Sequence, residues 1–168
     1  MPAHTAIPSQ ECNCLALRQA ARHVTQFYDQ CLVPAGLRTT QLSILAKLKR
    51  LGPLTINALA RELVMDRTTL GRTMLPLERD GLIGIEDGTL DRRSKELHLT
   101  RAGAERLRVA GRLWSEAQMQ FETAFGGERA SALRNELRAV ASSELGIAPE
   151  AGAKSHSRKW GRALHDRA

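Results

Sequence analysis

Two short helical patterns joined by a tight connection constrain the fold of this chain more than any other feature of its sequence. Apolar residues recur at three- and four-residue steps from Ile56 to Leu63, and Thr55 is placed to cap that segment. The connection Val64-Met65-Asp66 ends in a second N-cap, Asp66, which opens a helix that reaches Arg79. Two short helices joined by so few residues predict a helix-turn-helix.

The pattern changes from helical to alternating after Gly81. Leu82 to Ile85 and Lys95 to Thr100 are strand-like, and they flank a polar, charged loop from Glu86 to Ser94. Two such segments around a loop predict a β-hairpin. A hairpin after a helix-turn-helix supplies a wing, so the middle of the chain is predicted to be a winged helix-turn-helix.

Longer helical patterns lie on both sides of this middle segment, and the fold class is therefore mainly α with a small β-hairpin wing. The predicted flanking helices run from Cys14 to Leu32, ending at Pro34-Ala35-Gly36; from an N-cap at Thr39 or Thr40 to Leu51; from Thr100 or Arg101 to about Ala124, ending at Gly126-Gly127; and from Glu128 to Leu145.

Charge and composition narrow the range of partners. The chain has 25 Lys and Arg against 18 Asp and Glu, a net charge of +7 and a pI of about 10.0, so nucleic acid is the first candidate. No apolar run approaches the roughly 18 residues of a membrane span, and residues 1–11 lack the apolar stretch of a signal peptide. We therefore expect a cytoplasmic protein with no membrane partner.

The motifs of common enzyme classes are missing from the sequence. It has no Gly-rich phosphate-binding loop, no Gly-x-Ser-x-Gly and no His-Glu-x-x-His. Its three cysteines are an odd number, which argues against a disulfide framework. A metal site of Cys12, Cys14, His23 and Cys31 does not match the usual Cys-x₂-Cys spacing. We expect a non-enzyme without metal or other cofactor.

Two basic segments are candidates for DNA contact. The second helix of the helix-turn-helix begins with Arg67-Thr68-Thr69 and has Arg72 one turn later; Arg bonds guanine, and Thr bonds a base edge or touches a thymine methyl. The wing tip, Asp91-Arg92-Arg93, could place an Arg in a narrow minor groove, with Asp91 orienting Arg93. The alternative is that both segments are ordinary solvated surface, as in helix-turn-helix proteins that never touch DNA.

The order of several motifs resembles the MarR family of dimeric winged-helix transcriptional regulators. The resemblance covers about residues 12–145 and rests on Leu37 to Leu51, Ile56-x-x-Leu59-Ala60-x-x-Leu63, Asp66-x-Thr68-Thr69-Leu70, Leu77 to Ile83, Asp91-Arg92-Arg93 and Leu99-Thr100-x-x-Gly103. It implies a triangular dimer in which the N- and C-terminal helices interlock. By position, Arg67, Thr68, Thr69 and Arg72 would then read the major groove of double-stranded DNA, and Asp91 and Arg93 match the family's wing Asp-x-Arg.

The composition of the two ends and the family resemblance of the residues between them together divide the chain into segments with different roles. These are a flexible arm (1–11), a dimerisation helix (12–36), a winged helix-turn-helix lobe (37–100), dimerisation helices (101–145) and a disordered basic tail (146–168). Pro76 departs from the family pattern, since many members have a polar residue at this place in the recognition helix. It removes the hydrogen bond to the carbonyl of Arg72 and is expected to kink or loosen the helix.

The family resemblance implies an effector bound between the dimerisation helices and the DNA-binding lobe. Aromatic and phenolic acids are frequent effectors in the family, and Arg22, His23 and Arg38 could hold such an anion by charge-assisted hydrogen bonds. The alternative is that these residues are surface charges and a histidine with an ordinary hydrogen bond.

A second kind of trigger is thiol oxidation, since one branch of the family senses organic hydroperoxides through a cysteine near the start of its first helix. Cys12 and Cys14 lie in that region, although residues two apart face different directions on a helix. The tyrosine pair of that branch is missing, because Tyr28 is the only tyrosine.

The sequence thus predicts a homodimeric repressor that binds an inverted-repeat operator and is released by a small ligand. The alternatives are a redox-sensing regulator of the same fold and an architectural protein that binds DNA through charge alone.

Overall fold

The computed structural model describes residues 11–88, 94–143 and 145, in one unit up to Gly126 and a second from Gly127. Residues 1–10 of the predicted arm (1–11), the wing tip (Asp91 to Arg93) and the tail (146–168) fall outside these ranges. The first unit consists of α1 (Asn13–Leu32), a 3₁₀ turn (Val33–Ala35), α2 (Thr39–Leu51), β1 (Leu54–Thr55), α3 (Ile56–Glu62), α4 (Arg67–Arg79), β2 (Ile83–Asp87), β3 (Lys95–Leu99) and α5 (Arg101–Phe125). The second unit contains α6 (Gly127–Ser142).

Three helices begin where local sequence predicts, because a polar residue accepts the backbone N–H three positions ahead. Thr55 Oγ1 accepts from Ala58 at 3.2 Å, Asp66 Oδ1 from Thr69 at 2.8 Å, and Thr100 Oγ1 from Gly103 at 3.0 Å. These caps fix the starts of α3, α4 and α5, so the predicted starts of both helices of the helix-turn-helix and of the long helix after the wing are confirmed.

The start of α2 differs from the prediction that Thr39 or Thr40 is its N-cap. Arg38 is the N-cap, and Thr39 is the first helical residue. Gln41 Oε1 accepts the backbone N–H of Arg38 at 2.9 Å, and a second cap comes from α1: Asp29 Oδ1 accepts both the backbone N–H and the hydroxyl of Thr39, each at 2.7 Å. A carboxylate ten residues earlier in the chain replaces the local threonine cap.

The predicted hairpin is present as an antiparallel pair, with Ile83 opposite Leu99 and Asp87 opposite Lys95. A third strand, β1, extends it to the order β1-β3-β2, and its Leu54 pairs with Leu97. The sequence did not predict β1, because two residues are too short to show an alternating pattern.

The core of the first unit joins α1 and α2 to the helix-turn-helix. Its largest fully buried side chains are Leu32, Ile44, Leu45, Leu59, Leu70 and Leu77. Burial of each such side chain stabilises the fold by about 1.5–3 kcal/mol, so the core holds α4 in a fixed position. Polar groups also hold α5 to the turn after α4: the Thr100 hydroxyl donates to the carbonyl of Gly81 at 2.7 Å.

Two further expectations can be compared with the observed helices. Helix α4 continues through Pro76 to Arg79, so the proline does not end the recognition helix. Gly126, with φ of 93°, ends α5 as predicted, whereas Gly127 already belongs to α6. Helix α6 ends at Ser142, three residues before the predicted Leu145.

Candidate nucleic-acid interface

The N-terminal half of α4 presents one polar, basic face to solvent. Arg67, Thr68, Thr69 and Arg72 are all exposed. The opposite face of α4 is buried in the core through Leu70, Gly71, Met74 and Leu77. The candidate base-reading residues therefore share an outward surface, and the core fixes the orientation of the helix that carries them.

Asp66 is held in its ionised form at the start of this helix. Hydrogen bonds from Thr69, through its hydroxyl and then its backbone N–H, are the main reason that the pKa of Asp66 lies below its usual value. A negative charge at this end also complements the helix dipole. The cap keeps the first turn of α4 formed, which places Arg67 and Thr68 in a defined direction.

The wing begins next to α4 and carries charged side chains along its stem. Gly84 lies under the ring of His98, and a Cβ at position 84 would overlap that ring. His98 Nε2 is 3.6 Å from Glu86 Oε1, and Lys95 pairs with Asp87. Asp91, Arg92 and Arg93, the predicted minor-groove residues, lie outside the described residues, so their role stays a prediction.

The predicted effector residues lie at two places in the first unit. Arg22 and His23 are exposed on α1, and the Arg38 guanidinium lies 3.4 Å from Asp29 Oδ2 at the start of α2. Arg22 and Asp29 are seven residues apart and so share a face of α1, about 10 Å apart along the helix axis. An open groove of about 590 Å³ between α2 and α5, lined by Lys49, Arg101, Ala104, Glu105, Leu107 and Arg108, includes none of the three predicted residues.

Asp29 is a polar link that the sequence patterns did not reveal. Burial raises its pKa, but the two hydrogen bonds from Thr39 and the charge of Arg38 outweigh burial, so the pKa of Asp29 is lowered. Two further hydrogen bonds join the same part of the fold to α5: Tyr28 Oη donates to Gln118 at 2.7 Å, and Arg106 donates to the carbonyl of Ala35 at 2.9 Å. The one sign of this link in the sequence is Asp29 itself, an acidic residue beside the apolar positions of α1.

The cysteines near the start of α1 occupy distinct positions. Cys12 is the N-cap, and its Sγ accepts the backbone N–H of Leu15 at 3.4 Å. Cys14 is exposed in the first turn, while Cys31 is half-buried. Among the described residues, no three His, Cys, Asp or Glu side chains are grouped so that they could hold a metal ion.

None of the helices in the described ranges is both long and apolar enough to cross a membrane. Both units expose large apolar side chains on the helices that flank the winged lobe in the sequence. In the first unit these are Leu15, Leu17, Trp114 and Met119, and in the second they are Leu133, Leu137 and Val140.

Comparison with known proteins gives a consistent result. The model of the MarR family matches residues 37–95, the winged helix-turn-helix. No curated protein matches the chain. Among solved structures, the M. tuberculosis transcriptional regulator MosR is 32% identical, with a TM-score of 0.68, and the match covers 80% of this chain and 99% of that one. MosR in complex with DNA is 34% identical, with a TM-score of 0.65, over 79% and 100% of the two chains.

Two other regulators share the fold. The transcriptional repressor CouR, bound to a 23-mer DNA duplex, is 25% identical over 82% of this chain and 99% of that one, with a TM-score of 0.72. Bordetella bronchiseptica BpsR, whose DNA binding is regulated by 6-hydroxynicotinic acid, has a TM-score of 0.72 over 83% and 99% of the chains; at 19% identity this likeness concerns the fold alone.

Proposed function

Because the chain belongs to the MarR family of DNA-binding transcriptional regulators, we propose that it is a homodimeric repressor that binds an inverted-repeat operator. Proteins of this family regulate transcription and are not enzymes. The observation that carries the proposal is the geometry of α4, whose first turns expose two arginines and two threonines while its other face is buried in a rigid core.

In the proposed complex, α4 enters the major groove with its N-terminal end. Arg67 and Arg72 bond guanine edges, and Thr68 and Thr69 contact neighbouring bases or phosphates. The wing tip, with Asp91, Arg92 and Arg93, reaches the flanking minor groove, where an arginine is favoured by the negative potential. The net charge of +7 supports attraction to the duplex.

The dimer is supported by the exposed apolar residues of α1, α5 and α6. Each unit exposes large apolar side chains on these helices, such as Trp114 in the first unit and Leu137 in the second, and their burial against a second copy of the chain would remove them from water. We assign residues 12–36 and 101–145 to dimerisation and residues 37–100 to DNA binding. Two recognition helices related by a twofold axis would bind half-sites about one helical turn apart.

We also propose that a small aromatic or phenolic acid releases the repressor from its operator in the cytoplasm. Arg22, His23 and Arg38 are its candidate ligands, and the aromatic acid that regulates BpsR is of the same chemical class. Arg38 is paired with Asp29 at 3.4 Å, so a carboxylate effector would compete with Asp29 for the guanidinium.

Fluorescence anisotropy tests this function directly. The protein is titrated into DNA from upstream of its own gene and into a scrambled duplex, at two salt concentrations, with and without a panel of aromatic acids. We expect a preference of about a thousandfold or more at physiological salt and release by an acid of the panel. Equal binding to both duplexes that falls together with salt would replace this function with charge-driven architectural binding.

A thiol switch is the second candidate, supported by the position of Cys12. Its sulfur caps α1 by accepting the backbone N–H of Leu15, and Cys14 is exposed nearby. If oxidation is the trigger, an organic hydroperoxide should release DNA from the wild type but not from Cys12→Ser or Cys14→Ser. Release that persists in both variants would exclude these thiols.

A further inference from the structure

Two unusual properties coincide at Val64, in the turn between α3 and α4. It is the one non-glycine residue with a positive φ in the ranges that the structure describes, at 51°. The residue is also 80% exposed, the largest exposed fraction among the large apolar residues described. A residue that is both strained and unburied needs a reason outside the packing of the fold.

The strain at Val64 follows from its conformation. In the left-handed region the Cβ approaches the following carbonyl oxygen, and a β-branched side chain is especially unfavourable there. Turns of this type often contain glycine, which has no such penalty. The backbone N–H of Val64 donates to the carbonyl of Arg61 at 3.2 Å, and glycine would make the same hydrogen bond. The turn therefore does not require valine.

The location of Val64 suggests what its side chain contacts. It lies two residues before the cap Asp66 and three before Arg67, and so within about 10 Å of the base-reading end of α4. A partner that approaches α4 also approaches Val64. Arg67, Thr68 and Thr69 offer polar groups to that partner, whereas Val64 offers two methyl groups.

We propose that Val64 is a DNA-contact residue whose methyl groups pack against an apolar part of the duplex beside the recognition helix. This inference rests on the proposed function, because it uses the same docking of α4. Hydrocarbon is available on DNA from two sources: the thymine C5-methyl, the apolar group that the major groove displays, and the deoxyribose. Strain in the turn is retained because valine adds this contact and glycine does not.

Paired measurements of stability and DNA affinity test the proposal. Val64→Gly removes both the strain and the contact, so its melting temperature should rise by about 1–4 °C. Its affinity for a duplex selected by the wild type from a random-sequence pool should fall about 4- to 15-fold, the loss expected for one or two methyl groups at a buried contact. Val64→Ala keeps the left-handed backbone, so its affinity should fall without the rise in melting temperature.

The proposal is overturned if Val64→Gly and Val64→Ala bind the selected duplex as tightly as the wild type.

A second arm separates the two sources of hydrocarbon. Each thymine of the selected duplex is replaced in turn by uracil, which lacks only the methyl group. If one replacement weakens the wild type but not Val64→Gly, the contact is with that thymine; if every replacement affects both proteins equally, the contact is with deoxyribose. Failure of the wild type to select any sequence would refute the proposed function instead, and comparing the variants on an arbitrary duplex at low salt would still test the contact.

Discussion

Removing the carboxylate of Asp29 should uncouple α1 from the start of the winged lobe. Asp29 Oδ1 accepts two hydrogen bonds of 2.7 Å from Thr39 and so caps the first helical N–H of α2 from the preceding helix. Hydrogen bonds to charged groups contribute about 1.5–3 kcal/mol each, but these two share one oxygen and one donor residue, so we take a combined loss of about 2 kcal/mol for Asp29→Ala. This loss corresponds to a fall in melting temperature of about 4–8 °C.

Urea unfolding at a fixed protein concentration is the appropriate assay, because a dimer's stability depends on concentration. Arg38→Ala is the control: its side chain is 79% exposed and lies 3.4 Å from Asp29, so its loss should cost no more than about 0.5 kcal/mol. Equal unfolding midpoints for Asp29→Ala and the wild type would refute the capping role. Equal losses in Asp29→Ala and Arg38→Ala would show that the ion pair, and not the cap, carries the effect.

The pH dependence of this effect has a defined sign. The folded-state pKa of Asp29 is lowered from its ordinary value of 3.8, so the contribution of the carboxylate is complete above that value and is lost as pH falls through the folded-state pKa. The stability difference between the wild type and Asp29→Asn should therefore be constant near neutral pH and shrink below about pH 4. A difference that grows on acidification would contradict this assignment.

Three other substitutions test separate parts of the account. Arg72→Ala should cost about 1–3 kcal/mol at the operator and relax preference at one base pair, measured by anisotropy on a set of single-base variants; unchanged affinity would mean that α4 is placed wrongly. Arg93→Ala should weaken binding with little change in base preference, and an unchanged affinity would remove the wing from the complex. Gly103→Ala should destabilise the fold by about 1–3 kcal/mol in urea, because its Cβ would overlap the carbonyl oxygen of Leu82; a stability equal to the wild type's would show that α5 does not pack closely there.

Sequence patterns located the helix-turn-helix because its determinants are local. Thr55, Asp66 and Thr100 each cap a helix through a backbone group three residues away, and such pairs are visible in the sequence. The cap of α2 was misassigned because Asp29 acts through space from the preceding helix. Strand β1 exists because it pairs with β3, a contact between residues more than forty positions apart.

The candidate DNA interface likewise has features that the sequence predicts and features that it does not. The exposed face of α4 follows from helical periodicity, since Leu70, Met74 and Leu77 on the buried face determine which residues point outwards. The left-handed conformation of Val64 and the hydrogen bonds of Asp29, Tyr28 and Arg106 depend on where helices meet in space. The periodicity of apolar residues within one helix does not show which residues of another element that helix will contact.

Chemical protection of the selected duplex by dimethyl sulfate tests the central claim most directly, because this reagent methylates guanine N7 in the major groove and adenine N3 in the minor groove. The account predicts two groups of protected guanine N7 atoms about one helical turn apart, with protected adenine N3 atoms outside them where the wings lie. Protection confined to the minor groove, or a single group of protected guanines at saturating protein, would contradict a dimer that places one α4 in each of two successive major grooves.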